Sequence, residues 1–261
     1  MILMRRRSMS SEGKNYYASR YLTFQAIEDC TFQLSLNSIE YSVDDGNTWN
    51  ILPAATASPE VKAGKTIMWK RVSNWVYEGT GTFSSSGKFL VYGNSMSLLY
   101  GDAFLGKTSF NGNYALKYLF KNNKNLVSAK DMVLPAKALT GACYYHMFFG
   151  CSNLEDCPDL MFTSHVGGEA CLQMFSGCVN MRATIVLRPA TLMQRSYFAM
   201  FQGCRSVSDI TILATDISAS NCLYLWVTGV AATGRFTKKT GVDYPIGASG
   251  IPEGWTVIEI P

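Results

Sequence analysis

Apolar and polar positions alternate through the first part of the chain. Phe32, Leu34 and Leu36 fall on one face, and Ile39, Tyr41 and Val43 resume the same period of two after Asn37 and Ser38. Alternation of this kind predicts half-buried antiparallel strands joined by a turn. Further strand-like runs are TIMWKRV at 66–72, WVYEGTGTF at 75–83 and KFLVYG at 88–93, enough for a small β-sandwich.

The second half repeats itself. YYHMFFGCSNL at 144–154 returns as CLQMFSGCVNM at 171–181 and SYFAMFQGCRSV at 196–207, with LKYLFKNNKNL at 116–126 as a weaker copy. An aromatic anchor stands at Phe120, Phe148, Phe175 and Phe201, and one further step reaches Val227, so the unit is 26 to 28 residues long. A recurring motif reads as scaffold before it reads as a site. Two positions after each anchor come Asn122, Gly150, Gly177, Gly203 and Gly229. These residue types suit the left-handed position that ends a helix, so each unit is predicted to carry a short helix stopping there. Three positions after the anchor come Asn123, Cys151, Cys178, Cys204 and Val230, and six after it Leu126, Leu154, Met181 and Val207, which form inward columns. The apolar runs MVL at 132–134, DLMF at 159–162, IVL at 185–187 and ITIL at 210–213 have strand length.

One helix and one strand per unit is the plan of a leucine-rich-repeat α/β solenoid, in which neighbouring units share a core that none can form alone. The expected fold class is α+β: an antiparallel β-sandwich, then the solenoid, then a C-terminal β cap. The segments are a polar arm at 1–18, the sandwich at 19–93, the solenoid at 94–220, and a capping repeat and strand at 221–261. The segment WTVIEI near the end would cover the open face of the last unit.

Composition narrows the function. A chain of 261 residues with 48% hydrophobic content can bury a large core, and 16% charged residues with a formal charge of +4 suit polar contact better than capture of nucleic acid. The basic run Arg5, Arg6 and Arg7 is too short for a nucleic-acid footprint. The start, MILMRRRSMSSEGKNYYASR, lacks the apolar core of a secretory signal, and no run of about 18 apolar residues predicts membrane insertion.

Four motifs carry candidate chemistry. The column of Cys151, Cys178 and Cys204, part of eight cysteines at 30, 143, 151, 157, 171, 178, 204 and 222, reads as small buried side chains, with disulfides between rungs or a metal site as the alternatives. His146 is expected to be exposed, and with His165 the only other histidine there is little material for a catalytic triad. SVDDGNTW at 42–49 matches the Asp-box of sialidases, itself a hairpin in which Ser42 and Asp44 bond turn amides, Gly46 makes the turn and Trp49 packs back. A sialidase would carry several copies and an arginine cluster. GDAFLGKT at 101–108 fits the P-loop pattern, but Asn111-Gly112-Asn113 stands where the phosphate-binding helix should run, so the expectation is a connecting loop and no nucleotide at Lys107.

MFFGCSNL, MFSGCVNM and MFQGCRSV, with VLPAKAL at 133–139 and VLRPATL at 186–192, resemble the BspA-like leucine-rich repeats of gut Bacteroidetes and their bacteriophages. YLTFQAIEDCTFQLSLNSIEYSVDDGNTW, MSLLYGD, ATDIS, WVTGVAATG and GIPEGWTV resemble the phage and prophage versions, so the likeness spans nearly the whole chain. It implies a non-enzymatic protein without cofactor: a head-fibre, decoration or tail-fibre subunit of a virion, assembled in the host cytoplasm and adhering to host surface polysaccharide. The alternative setting is a bacterial cell-surface adhesin or protein-interaction module. Expected partners are other virion proteins, through an N-terminal anchor at Arg5, Arg6 and Arg7, for which a disordered tail is the alternative, and further copies of the chain, with a trimer preferred. Tyr144, Tyr145, Tyr197 and Tyr224 are the candidate glycan contacts, with core packing at helix positions as the alternative for each.

Overall fold

The computed structural model describes residues 16–72 and 81–261. The proposed anchor at Arg5, Arg6 and Arg7 and most of the run at 75–83 lie outside them.

The described residues are mostly β, arranged in several sheets with no closed barrel among them. The strands are β1 (Leu22–Ala26), β2 (Phe32–Leu34), β3 (Ile39–Ser42), β4 (Asn50–Leu52), β5 (Thr66–Arg71), β6 (Phe83–Ser85), β7 (Phe89–Asn94) and β8 (Leu126–Val133). A six-stranded sheet runs β4-β3-β5-β1-β7-β8, while β2 and β6 form a separate pair. Pairing is antiparallel except where β8 lies parallel to β7. The chain turns after Leu34, with Asn37 at φ 65, and β3 joins β4 and β5 instead of β2. Leu36 and Val43, expected inside, are therefore exposed. Between the layers lies an aromatic cluster of Phe24, Phe32, Trp69, Phe83 and Phe89, with ring centroids 4.9 to 6.3 Å apart. Phe120, the first anchor, packs on this cluster at 5.7 Å from Phe24 and 6.1 Å from Phe83. The six-stranded sheet and its core thus cross position 93 and pass into the first repeat.

Beyond β8 each repeat is a coil with three sides. The first side continues through β10 (Ile185–Leu187), β12 (Asp209–Ile212), β13 (Arg235–Lys239) and β14 (Thr256–Ile260), parallel and in register. The run at 159–162 is not a strand, against expectation. Pro158 precedes it without an amide proton to donate, and the Leu160 carbonyl accepts from the Arg188 guanidinium instead of a neighbouring backbone. The second side is short, with β9 (His165–Val166) beside β11 (Thr191–Leu192).

The third side corrects the sequence reading most. The segments 114–123, 142–151, 169–178, 195–204 and 221–230 contain no helix; each is a ribbon of consecutive turns. The sole described α-helix of the region, α1 (Ser97–Tyr100), precedes the repeats. Within a ribbon alternate amides close turns onto the carbonyl three residues back, as Met147 on Tyr144 and Phe149 on His146. The amides between them cross to the next coil, as Tyr144 to Ala170, His146 to Leu172, Phe148 to Met174 and Gly150 to Ser176. Half the backbone is satisfied inside a coil and half between coils, which closes the hydrogen-bond accounting of a buried segment without helix or strand. Every fourth residue takes positive φ to make this possible: Ala142, His146 and Gly150 in one coil, Glu169, Gln173 and Gly177 in the next.

Side chains stack on this frame. Phe148 and Phe175 are 5.2 Å apart with planes 3° from parallel, and Phe175 and Phe201 5.8 Å apart at the same angle. Each anchor is fully buried, worth about 2 to 3 kcal/mol of transfer free energy.

Candidate functional site

The cysteine column is structural. Cys151, Cys178 and Cys204 are fully buried free thiols, and each donates to the carbonyl of the anchor phenylalanine one coil earlier: Cys151 to Phe120 at 3.0 Å, Cys178 to Phe148 at 3.1 Å, Cys204 to Phe175 at 3.0 Å. Burial pushes the thiols of Cys151 and Cys204 up to about 12 and that of Cys178 upward too, so they stay protonated. Protonated, inaccessible sulfur is poor nucleophile and poor ligand alike. Among the described residues no cluster of metal-ligating side chains occurs.

The two sequence motifs with enzymatic associations are likewise absorbed by the scaffold. In the β3–β4 hairpin the Ser42 hydroxyl accepts from the Gly46 amide at 2.9 Å, Asp44 accepts from the Thr48 amide at 2.9 Å and its hydroxyl at 2.7 Å, and Trp49 Nε1 donates to the Gly46 carbonyl at 3.1 Å. Hydrogen bonds from Ser42 and Thr48 hold the Asp44 carboxyl down at about 2. The hairpin is the one the motif predicts. In GDAFLGKT, residues Gly101–Phe104 form a short 3-10 turn clamped by Asp102, which accepts from Lys70 Nζ at 2.8 Å and from the Tyr21 hydroxyl at 2.7 Å. Lys107 lies over the Tyr100 ring, 5.2 Å from its centroid, and turns rather than a helix follow Thr108.

Of the four tyrosines expected to meet glycans, Tyr144 and Tyr197 are fully buried and cannot do so. The turn ribbon buries pairs of adjacent residues every four positions, and both tyrosines fall within such pairs. Tyr145 is half-buried and Tyr224 exposed, and they mark the true outer face. That face carries aromatics the repeat alignment does not single out. Tyr118 meets Tyr145 edge-on at 5.6 Å, and the Tyr145, His146 and Phe149 rings lie nearly parallel at 4.1 and 4.8 Å. Further along, Phe198 packs on Tyr224 at 5.0 Å with Arg195 above its ring.

Two lysines stand over the first part of this shelf. Lys117 Nζ lies 4.9 Å from the centroid of Tyr114, 4.7 Å from Tyr118 and 5.0 Å from Tyr145; Lys121 Nζ lies 4.5 Å from Tyr118 and 5.9 Å from Phe149. His146 is half-buried, not exposed, and burial draws its pKa down to about 4 against a smaller opposing effect of Gln173. It is neutral near pH 7, which leaves the lysines as the charge of the shelf. Tyr114 and Tyr118 themselves sit at φ 64 and 65, a conformation that bulky residues seldom adopt.

A second concavity opens on the strand side where the run at 159–162 leaves the ladder. This cleft of about 260 Å³ is lined by Lys130, Cys157, Asp159, Ile185 and Val186 among others. Asp159 accepts from Arg188 at 3.1 Å, so that carboxylate is occupied in bridging coils.

No protein-family model matches the chain, and comparisons with curated proteins and with solved structures find no match.

Proposed function

We propose that the chain is a non-enzymatic virion component, a head-fibre, decoration or tail-fibre subunit, whose stacked coils present an adhesive surface to host glycans. In this reading the coils are a diverged leucine-rich-repeat solenoid of the BspA-like kind, and the two-layered N-terminal region is a β-sandwich that carries the anchor. The observation that supports adhesion is a pair of outward aromatic groups, Tyr114 to Phe149 on the first two ribbons and Phe198 with Tyr224 on the last two. Flat rings held on a rigid frame offer apolar area at small entropic cost, the surface a saccharide ring can lie on. Single contacts of this kind are weak, and a fibre of several copies sums them by avidity. The resemblance to phage and prophage repeats supports the virion setting; a cell-surface adhesin would use the same face and differ in export.

The test combines location with binding. Purified particles from a host carrying the gene should contain the protein, and deletion of residues 1–18 should leave it folded but absent from particles. Tyr145→Ala with Tyr224→Ala should lower retention on host surface polysaccharide without lowering thermal stability. A strictly monomeric protein missing from particles would overturn the reading.

A further inference from the structure

We infer that the shelf of Tyr114, Tyr118, Tyr145 and Phe149 beneath Lys117 and Lys121 binds an anionic polysaccharide, its carboxylate or sulfate groups on the two ammonium ions and its sugar rings on the aromatic faces. The inference rests on the glycan reading above and narrows it to one chemical class.

Charge carries the argument. Between positions 103 and 140 the chain holds six lysines and a single acidic residue, Asp131, so this first coil is more basic than the protein as a whole. Neither Lys117 nor Lys121 forms an ion pair with a described carboxylate. Glu169, whose field reaches Tyr145, is taken up by Arg195 at 2.7 Å. Elsewhere this protein pairs several of its cations: Lys62 with Asp29, Lys70 with Asp102, Lys238 with Glu259, Arg188 with Asp159. Here it parks them on ring faces, an arrangement that holds an ammonium by its attraction to the ring quadrupole while leaving donors free for an incoming anion.

Geometry selects the ligand. The rings belong to successive coils and face outward along one ribbon side, so an extended polymer crossing the coils meets aromatic surface and ammonium together. Tyr114 and Tyr118 occupy the positive-φ positions that recur every fourth residue in all the ribbons, so these two rings are carried by the repeating frame itself. A single-stranded nucleic acid is the competing polyanion, since bases also stack on aromatics. Nucleic-acid binding draws on a tract of phosphate contacts, and the uncompensated cations over the shelf number two, which suits a polymer with sparse charges and many rings.

The experiment uses polymers that share one backbone: neutral dextran, carboxymethyl-dextran and dextran sulfate, with oligo(dT) as the fourth probe, each measured against the full-length protein at two salt concentrations. Expected is salt-sensitive binding of one or both anionic dextrans, with the stronger of the two naming carboxylate or sulfate, and weak binding of dextran. Lys117→Gln with Lys121→Gln should weaken it about tenfold or more, as loss of charge-assisted hydrogen bonds does, and Tyr118→Ala with Tyr145→Ala should weaken it too. Lys130→Gln with Lys137→Gln removes the same charge away from the ribbon side and should change affinity less than about twofold, as a surface charge outside the site does. Equal loss in both lysine pairs would reveal general electrostatics and overturn the inference, as would tighter binding of oligo(dT) through the shelf residues. Host polysaccharide that binds through Tyr145 and Tyr224 but ignores salt and the Lys117 and Lys121 changes would overturn the anionic class while leaving adhesion standing.

Discussion

Replacing Gln173 by Gly and Gly177 by Ala, four residues apart on one ribbon, separates a turn ribbon from a helix by the sign of the effect. Both positions have positive φ, 50 for Gln173 and 80 for Gly177. An L-residue there costs about 1 to 2 kcal/mol. A methyl at Gly177 would meet the Gly150 Cα at 3.4 Å, an ordinary contact, so Gly177→Ala should lose about 1 kcal/mol from backbone strain alone. Gln173→Gly relieves the same strain, offset in part by the freer unfolded chain and the lost contact with His146. Its net effect should lie between zero and a gain of about 1 kcal/mol. Were 169–178 a helix ending at Gly177, Gln173 would lie in its interior and glycine there would cost about 1 kcal/mol. Equilibrium urea unfolding, followed by tryptophan fluorescence, resolves the difference, and for a chain of this size about 1 kcal/mol corresponds to roughly 2 to 4 °C in melting temperature. A loss of 1 kcal/mol or more in Gln173→Gly would refute the ribbon.

Thiol reagents should label the native protein slowly, with half-buried Cys157 reacting ahead of Cys151, Cys178 and Cys204, which react only on unfolding; fast labelling of the column would contradict its burial. Because the Asp44 carboxyl titrates at about 2 in the hairpin against roughly 3.9 in an unfolded chain, its contribution is complete above pH ~4 and disappears as pH falls toward 2. Asp44→Asn should remove that part of the acid limb in a pH series of unfolding midpoints. His146, drawn down to about 4 from an ordinary value near 6.5, stabilises fully above that value and progressively less as pH drops to about 4; NMR of its ring should show no titration between pH 7 and 5. Magnesium with millimolar ATP should leave the melting temperature unchanged, and a rise abolished by Lys107→Ala would restore a phosphate-binding loop.

Much of the repeat was legible because its columns are fixed by contacts between neighbours. Phe120, Phe148, Phe175 and Phe201, the four glycines at positive φ and the buried cysteines all stand where the spacing puts them. The secondary structure was not legible, for a definite reason. Buried pairs recur every four residues in the ribbon, as at 143–144, 147–148 and 151, and over ten residues a period of four is hard to tell from the 3.6 of a helix. The glycine signal misled in the same direction, since a left-handed residue serves a helix end and a ribbon turn equally. That misassignment of period left Tyr144 and Tyr197 undecided between surface and core and passed over Tyr118, Phe149, Lys117 and Lys121. With the period set to four, the residues between buried pairs are the outward ones, and the sequence alone picks them out.

The places where columns break carry as much information as the columns. Asn123 stands where later coils have cysteine, and its amide donates to the Phe83 carbonyl at 3.0 Å as each cysteine donates to the preceding anchor. The amide is longer than a thiol and spans to a β-strand that is not itself a coil, so the substitution marks the splice between sheet and stack. At the other end Trp226 replaces the methionines of its column, leans on Phe201 at 6.2 Å and donates to the Gly250 carbonyl at 2.9 Å. The next inward column, Leu187 and Ile212, continues as Lys238 and Glu259, an ion pair. An apolar pair there would offer a further coil, or a second molecule, a surface to stack on. Inward charge at a sheet edge withholds it. The Lys238–Glu259 pair thus sets charge into that column at the last two strands, while Val257 and Ile258 of β14 stay exposed beside it.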